Sequence, residues 1–268
     1  MLKNILISHI YTENDNLPKD WQSDVLPARI IVSEEDADAL DTLVVSSDGE
    51  LLARYAKQGF AILGVSDGDT YFDGLKYVTY DVEDCDYDYL FEIFCRQKNI
   101  PMKILETERT VVREMTTEDL PELYDLYDDE LVRKYVENLY DYEQEKEYLI
   151  KYIEGMYCFY GYGMWAVLNR QGKLIGKIGI SNRNIDGVMC TELGYIVHRD
   201  YRGIGIAKEV CNAILKYAAE KLKLKDMYII VEPDNERSVK TALSLGFVEE
   251  NSVKIDNIVH NKYYLRLG

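Results

Sequence analysis

Residues 191–222, TELGYIVHRDYRGIGIAKEVCNAILKYAAEKL, leave the chain little choice of local structure. Glu192–Val197 is a short run of Leu, Tyr, Ile and Val bounded by charge, the pattern of a strand. Ala207, Val210, Cys211, Ile214, Ala218 and Leu222 then recur at three- and four-residue steps, the buried stripe of a long helix. Between them lies Arg202-Gly203-Ile204-Gly205-Ile206-Ala207, a tight turn whose two glycines let the backbone approach a ligand closely. The first turn of the helix carries unpaired N–H groups and the positive end of the helix dipole. Strand, turn and helix together predict an anion cradle that suits a pyrophosphate. Two nucleotide motifs do not fit. No Gly-Lys-Ser/Thr follows the turn, and Lys208 stands where G-x-G-x-x-G needs its third glycine.

A third pattern does fit. Arg202-x-x-Gly205-x-Ala207 resembles the R/Q-x-x-G-x-G/A signature of the GNAT family of N-acetyltransferases. Upstream, Glu192-Leu193-Gly194-Tyr195 looks like the strand that precedes that signature, and downstream Asn235, Ser238 and Gly246-Phe247 resemble the family's N-x-x-S/A…G-F segment. The resemblance covers about residues 106–268. It implies an α/β (α+β mixed sheet) acyl-CoA N-acyltransferase fold, acetyl-CoA as co-substrate, no metal, and an amine as acceptor. It also implies roles. The N–H groups of Gly203, Ile204, Gly205, Ile206 and Ala207 would hold the CoA pyrophosphate, with Arg202 nearby. The pantetheine arm would pair with the main chain of Ile196 and Val197, where neighbouring strands splay, and Asn235 would help hold that arm or the turn.

Acetyl transfer needs a held thioester, an uncharged amine, a donor to the carbonyl oxygen and a proton for the leaving thiolate. Glu192, five residues before Val197, is the candidate base. His198 is adjacent to the cradle and is read as bordering the phosphates or solvent. Many relatives place a Tyr four residues after the Ser of N-x-x-S, and here that position is Ala242. The proton donor is left open between Tyr195, Tyr263, Tyr264 and unassisted departure of the thiolate. The absent Tyr also keeps a second reading in play, a non-catalytic acyl-CoA-binding sensor.

The first 105 residues lie outside the resemblance. Lys3–His9, Ala28–Ser33, Thr42–Ser46, Phe60–Val65 and Tyr77–Val82 read as strands, and 34–40, Leu51–Gln58 and Tyr87–Lys98 as helices. This alternation predicts a smaller three-layer α/β domain with a mostly parallel sheet, so the expected domains are 1–105 and 106–268. The strand–Ser–helix around Val44–Leu52 faintly resembles part of a HAD-type hydrolase. Such a hydrolase needs Asp-x-Asp after its first strand, whereas this chain has Ser8-His9-Ile10-Tyr11, and Asp67-Gly68-Asp69 reads as a turn.

Composition narrows the partners. With 31 basic and 48 acidic residues the net charge is −17, which argues against duplex nucleic acid and anionic membrane surfaces. No apolar run reaches membrane-spanning length, and the apolar start of MLKNILISHIYTENDN reads as a strand with no cleavage site after it. Five cysteines without a C-x-x-C pair predict neither a disulfide framework nor a metal site, and fit a cytoplasmic protein. Twelve acids against three bases between Glu118 and Glu147, interleaved with tyrosines, predict an acceptor groove suited to a cationic small-molecule or peptide amine. The oligomeric state is not legible.

Overall fold

The computed structural model describes residues 1–8, 28–31, 33–66, 68, 69, 72, 74–80, 82–185 and 187–268. The chain divides into two units, Met1–Met102 and Lys103–Gly268.

In the first unit, β1 (Asn4–Ile7), β2 (Arg29–Ile31), β3 (Thr42–Ser46), β4 (Ala61–Val65) and β5 (Val78–Thr79) form a sheet in the order β2-β1-β3-β4-β5. Every pairing in it is parallel. β3 and β4 are buried along their whole length, as their unbroken apolar runs require of strands covered on both faces. α1 (Gly49–Lys57) starts where Asp48 accepts the N–H groups of Glu50 and Leu51. α2 (Tyr87–Gln97) starts where Asp86 accepts that of Tyr89. The two helices cover opposite faces: Leu52 and Tyr55 pack with Leu6, Val44 and Ile62, and Leu90, Ile93 and Phe94 pack with Ile5, Leu43 and Val45. The result is the expected three-layer arrangement. The acidic helix expected at 34–40 is only a 3₁₀ turn, Glu34–Asp36, after which Asp38 turns the chain by accepting the Leu40 N–H. The first-strand residues His9, Ile10 and Tyr11, and Asp67 of the Asp67-Gly68-Asp69 turn, lie outside the described residues.

The second unit opens three residues earlier than expected. β6 (Lys103–Glu106) pairs with β7 (Thr110–Arg113) across a tight turn, so it belongs to the second sheet. That sheet continues with β8 (Met164–Asn169), β9 (Leu174–Ile185), β10 (Val188–Val197), β11 (Asp226–Val231), β12 (Val248–Ile255) and β13 (Ile258–Arg266), in the order β12-β13-β11-β10-β9-β8-β7-β6. The β10/β11 pair is parallel, and the other pairs are antiparallel. α3 (Leu120–Tyr127), α4 (Glu130–Tyr135) and α5 (Tyr142–Tyr152) follow β7, and a π-turn at Ile153–Tyr157 leads into the short α6 (Cys158–Tyr160). α7 (Ile206–Glu220) links β10 to β11, and α8 (Glu236–Ser244) follows β11.

Two cores sandwich this sheet. Val210, Cys211 and Ile214 of α7 pack with Trp165, Ile178 and Met227. Leu120, Leu123, Val132 and Leu149 pack on the other side with Ala166, Leu174 and Ile196. The start of β8 is fixed by two phenols. The Met164 N–H donates to the Tyr152 hydroxyl at 2.6 Å, and the Tyr157 hydroxyl donates to the Met164 carbonyl at 2.5 Å while accepting the Met115 N–H at 3.2 Å. Gly179 on β9 is demanded by this closeness, because a Cβ there would lie 2.1 Å from the Gly163 carbonyl oxygen. Tyr157 is fully buried, so Tyr157→Phe removes the hydroxyl partner of the buried Met115 N–H and of the part-buried Met164 carbonyl. That change is expected to cost about 1–3 kcal/mol, read as a lower denaturation midpoint at unchanged slope.

Candidate functional site

The glycine turn is held from outside. After β10 the chain makes a 3₁₀ turn, Arg199–Tyr201, and then passes Gly203 (φ +76°) and Gly205 (φ +88°) into α7. Both glycines sit in the left-handed region that L side chains avoid. A Cβ on Gly205 would lie 3.6 Å from the Arg109 guanidinium, and one on Gly203 would meet nothing within 4 Å. Backbone conformation by itself therefore requires glycine at both positions. Arg109 donates from Nε to Glu209 at 2.6 Å and from Nη1 to the Ile204 carbonyl at 2.8 Å. Glu209, the acid in the first turn of α7, is thereby turned toward Arg109. Gly205 is the N-cap and brings no side chain, so the N–H groups of the first turn receive no side-chain cap.

Arg202 is engaged on the structure itself. Its Nε donates to the Val197 carbonyl at 2.7 Å, and its Nη2 lies 3.0 Å from Asp129. Asp129 caps α4 by accepting the N–H groups of Leu131 and Val132. Arg202 thus ties the end of β10 and the turn to the start of α4. His198 is buried, accepts the Asp200 N–H at 3.3 Å on Nδ1 and places Nε2 3.2 Å from Asp125. It lines neither of the cavities described next.

β10 and β11 pair at one register position, Glu192 opposite Tyr228, and then part. Beyond it β10 keeps its ladder to β9 through Val197, and β11 keeps its ladder to β13 through Val231. The phase of the β9 ladder is set by the His198 N–H donating to the Ile175 carbonyl. Antiparallel alternation then commits the main chain of Ile196 to β9 and turns that of Tyr195 and Val197 toward the gap. Ile196 contributes its side chain instead.

Two cavities open on this gap. The first, about 800 Å³, runs along the glycine turn, the start of α7 and one face of α8. Arg199, Arg202, Lys208, Arg237 and Lys240 line it, and none of its lining residues is acidic. The second, about 790 Å³, lies toward α3, α5 and the β12–β13 turn. Tyr135, Val136, Tyr195, Ile196, Asn235 and Ser238 line both, so the cavities meet there. Asn235 caps α8 by accepting the Ser238 N–H at 3.2 Å.

Glu192 lies at the parting point and lines the second cavity. It is buried, with Arg183 Nε donating to it at 2.5 Å. Burial pushes its carboxyl above the usual range, against the pull of Arg183 and His260. Of the three phenols suggested by the sequence, Tyr195 alone lines the cavities: its hydroxyl donates to the Ser238 carbonyl at 3.0 Å, and burial pushes its pKa upward. Tyr263 is fully buried, and Tyr264 donates to Asp226 at 2.6 Å. Ala242 faces the core among the residues under α7, so a packing position stands where the relatives' Tyr would be.

Of the twelve acids between Glu118 and Glu147, only Glu137 and Glu145 line the second cavity. Others are structural: Asp119 pairs with Arg113 at 2.6 Å, Glu122 accepts the Leu174 N–H, and Asp141 caps α5. The cavity also contains groups that the sequence reading did not single out, Lys134, Lys177, Arg183, Glu232, Asp256 and His260. Lys177 had a readable signal, a lone charge inside the apolar run Leu174–Ile180. Among the described residues no cluster of His, Cys, Asp and Glu is arranged to hold a metal, and no helix is long and apolar enough to cross a membrane.

Comparison with known proteins places this geometry. The family described as "Acetyltransferase (GNAT) domain" matches residues 109–248, all within the second unit. The "Uncharacterized N-acetyltransferase YoaA" of Bacillus subtilis (strain 168) is 29% identical over 154 residues, 56% of this chain and 86% of that protein. The "Ribosomal-protein-serine acetyltransferase" of Escherichia coli (strain K12) is 27% identical over 103 residues, 38% of this chain and 57% of that one. Among solved structures, the ribosomal-protein-S5-alanine acetyltransferase from Vibrio fischeri shares the fold, with a TM-score of 0.53 at 20% identity over 61% of this chain and 96% of its own. The family match takes in more than half of the chain, and the protein belongs to the GNAT family of acetyl-CoA-dependent N-acetyltransferases.

Proposed function

We propose that the protein transfers an acetyl group from acetyl-CoA, seated in the first cavity, to a primary amine of a cationic acceptor in the second. The observation that carries this reading is the lining of the first cavity. In a chain of net charge −17, five basic side chains and no acidic one line it. That is the complement of a ligand bearing several phosphate charges. The uncapped start of α7 suits the pyrophosphate, and the main chain of Tyr195 together with the Val197 N–H, which faces the gap while the Val197 carbonyl is taken by Arg202, suits an amide-bearing arm, which would take the place of the missing β11 partner. Arg202 would act by holding the turn rather than by touching phosphate. Acetyl-CoA supplies the activated acyl group, and the remaining work falls to the chain.

Glu192 is the proposed base, acting directly or through water on the acceptor's ammonium. Its raised pKa brings it closer to working pH, and Arg183 fixes its position. Tyr195 is the proposed proton donor for the thiolate. It stands where the cavities meet, and burial keeps its hydroxyl protonated. The cationic acceptor is supported by the second cavity's five carboxylates, Glu137, Glu145, Glu192, Glu232 and Asp256, against Lys134, Lys177 and Arg183. Lys134 is already paired with Asp234 at 2.7 Å. Tyr127, Tyr140 and Tyr148 add aromatic faces. One relative is named as acting on a ribosomal protein, so a lysine or N-terminal amine of a peptide fits the proposed chemistry, as do a small polyamine and an amino sugar.

Two experiments test these roles. Exchanging Arg237 and Lys240 together for Gln should weaken acetyl-CoA binding by roughly three- to tenfold, the scale of two solvent-exposed ion pairs, with a shallower salt dependence. A Lys216→Gln control, on the exposed side of α7, should bind as the parent does. Calorimetry at two salt concentrations reads both, and unaltered binding in the double variant would remove the seat from this cavity. For the base, Glu192→Gln should leave acetyl-CoA affinity intact and lower turnover by roughly 10²–10⁴. A base works deprotonated, so the parent's rate should climb as pH rises through a pKa above the ordinary carboxylate range, and the variant should lack that limb. A panel of cationic, neutral and anionic amines supplies the acceptor for this assay, and preference for an anionic amine would contradict the proposed acceptor class.

A further inference from the structure

Lys177 is a half-buried amine that the reaction described above leaves unused. It lies in mid-β9, directly opposite Ile196 in the β9–β10 ladder. Opposed residues of an antiparallel pair project from the same face of the sheet, with Cβ atoms about 4.5–5.5 Å apart. Ile196 lines both cavities, and Lys177 lines the second beside it. The groups facing Lys177 come from α3 and α5: its Nζ donates to the Tyr127 hydroxyl at 3.3 Å and stands 5.5 Å from the centre of that ring, with Tyr148 and the buried Glu145 beyond. Burial pulls its pKa below the ordinary lysine value, against the opposing pull of Tyr148 and Glu145. The other lysine of the cavity is its opposite. Lys134 is held as an ammonium by Asp234 and the Tyr135 hydroxyl, which push its pKa upward.

We propose that Lys177 is an internal acetyl acceptor, modified by the chain's own acetyl-CoA when no external amine fills the second cavity. This rests on the seat proposed for acetyl-CoA, with the acetyl group delivered where the cavities meet at Ile196. The neutral Nζ attacks the thioester carbonyl carbon. A nitrogen–carbon bond forms, the carbon–sulfur bond breaks with its electron pair leaving on the CoA sulfur, and the proton shed by nitrogen passes through solvent to the thiolate. The products are acetyl-lysine and CoA thiol. The acetylated side chain loses its charge and occupies the acceptor cavity next to Ile196, so the modification closes the site to amines and stops at one acetyl per chain.

The test needs no knowledge of the natural acceptor. The full chain is incubated with acetyl-CoA alone and followed by intact-mass and peptide-mapping mass spectrometry, with calorimetry of acetyl-CoA binding on the same sample. The expected result is one acetyl group per chain, on Lys177, with Lys134 and the exposed Lys216 and Lys240 unmodified. K177R and K177M, two replacements that stress folding differently, should each bind acetyl-CoA and take up no acetyl group. Binding without modification of Lys177 overturns the inference and leaves the CoA seat standing. Acetyl groups spread over surface lysines, at the same rate in the heat-unfolded chain, also overturn it. Failure to bind acetyl-CoA overturns both.

Discussion

The second unit turns on the parting of two parallel strands. β10 and β11 meet at Glu192 and Tyr228 and separate before the rest of either strand can pair. A strand inside a sheet owes partners to both of its edges. β10 pays one edge to β9 along its whole length and leaves the main chain of Tyr195 and Val197 facing the gap. The Val197 carbonyl is taken by Arg202, and the remaining groups are open to a ligand. Helix α7 begins at the end of the same strand, so the exposed backbone and the uncapped helix start face one cavity. Glu192 sits at the parting point because that is where the register places it.

Charge is partitioned around this gap. Four arginines of the unit are paired with acids: Arg109 with Glu209, Arg113 with Asp119, Arg183 with Glu192 and Arg202 with Asp129. Each pair fixes a segment rather than supplying bulk stability, since partly exposed pairs contribute little net energy. Arg109 and Arg202 brace the glycine turn from two sides, Arg113 joins β7 to the start of α3, and Arg183 fixes Glu192. Lys208 of α7 and Arg237 and Lys240 of α8, the last sharing only an exposed pair with Glu236, are then left to set the potential of the first cavity, and the carboxylates collect in the second.

Much of this was legible in the chain itself. The strand, turn and helix of residues 191–222 carried the family signature, and the alternation of strands and helices before residue 105 carried the parallel, three-layer sheet. Register was not legible. A single-residue phase decides whether Ile196 or Tyr195 offers its backbone to the gap, and that phase is set by the His198–Ile175 hydrogen bond, between residues far apart in sequence. The boundary at Met102 was missed for a similar reason, because Lys103–Glu106 is short and could pair with either sheet until β7 is in place. The acidic run at 118–147 reads as one groove wall in sequence. In the folded chain five of these acids, Asp119, Asp125, Asp128, Asp129 and Asp141, cap helices or hold arginines, and two face the cavity. Lys177 shows the converse, a single charge in an apolar strand whose surroundings come from α3 and α5.

The central claim is that acetyl-CoA completes β10 where β11 leaves it. Amide hydrogen exchange of the full chain, with and without acetyl-CoA, tests it most directly. The account predicts new protection at the amides of Tyr195 and Val197 and at the first turn of α7, residues 206–208, with the amides that already pair with β9 unchanged. Tight binding that leaves those amides exchanging as before, with protection appearing elsewhere, would contradict it.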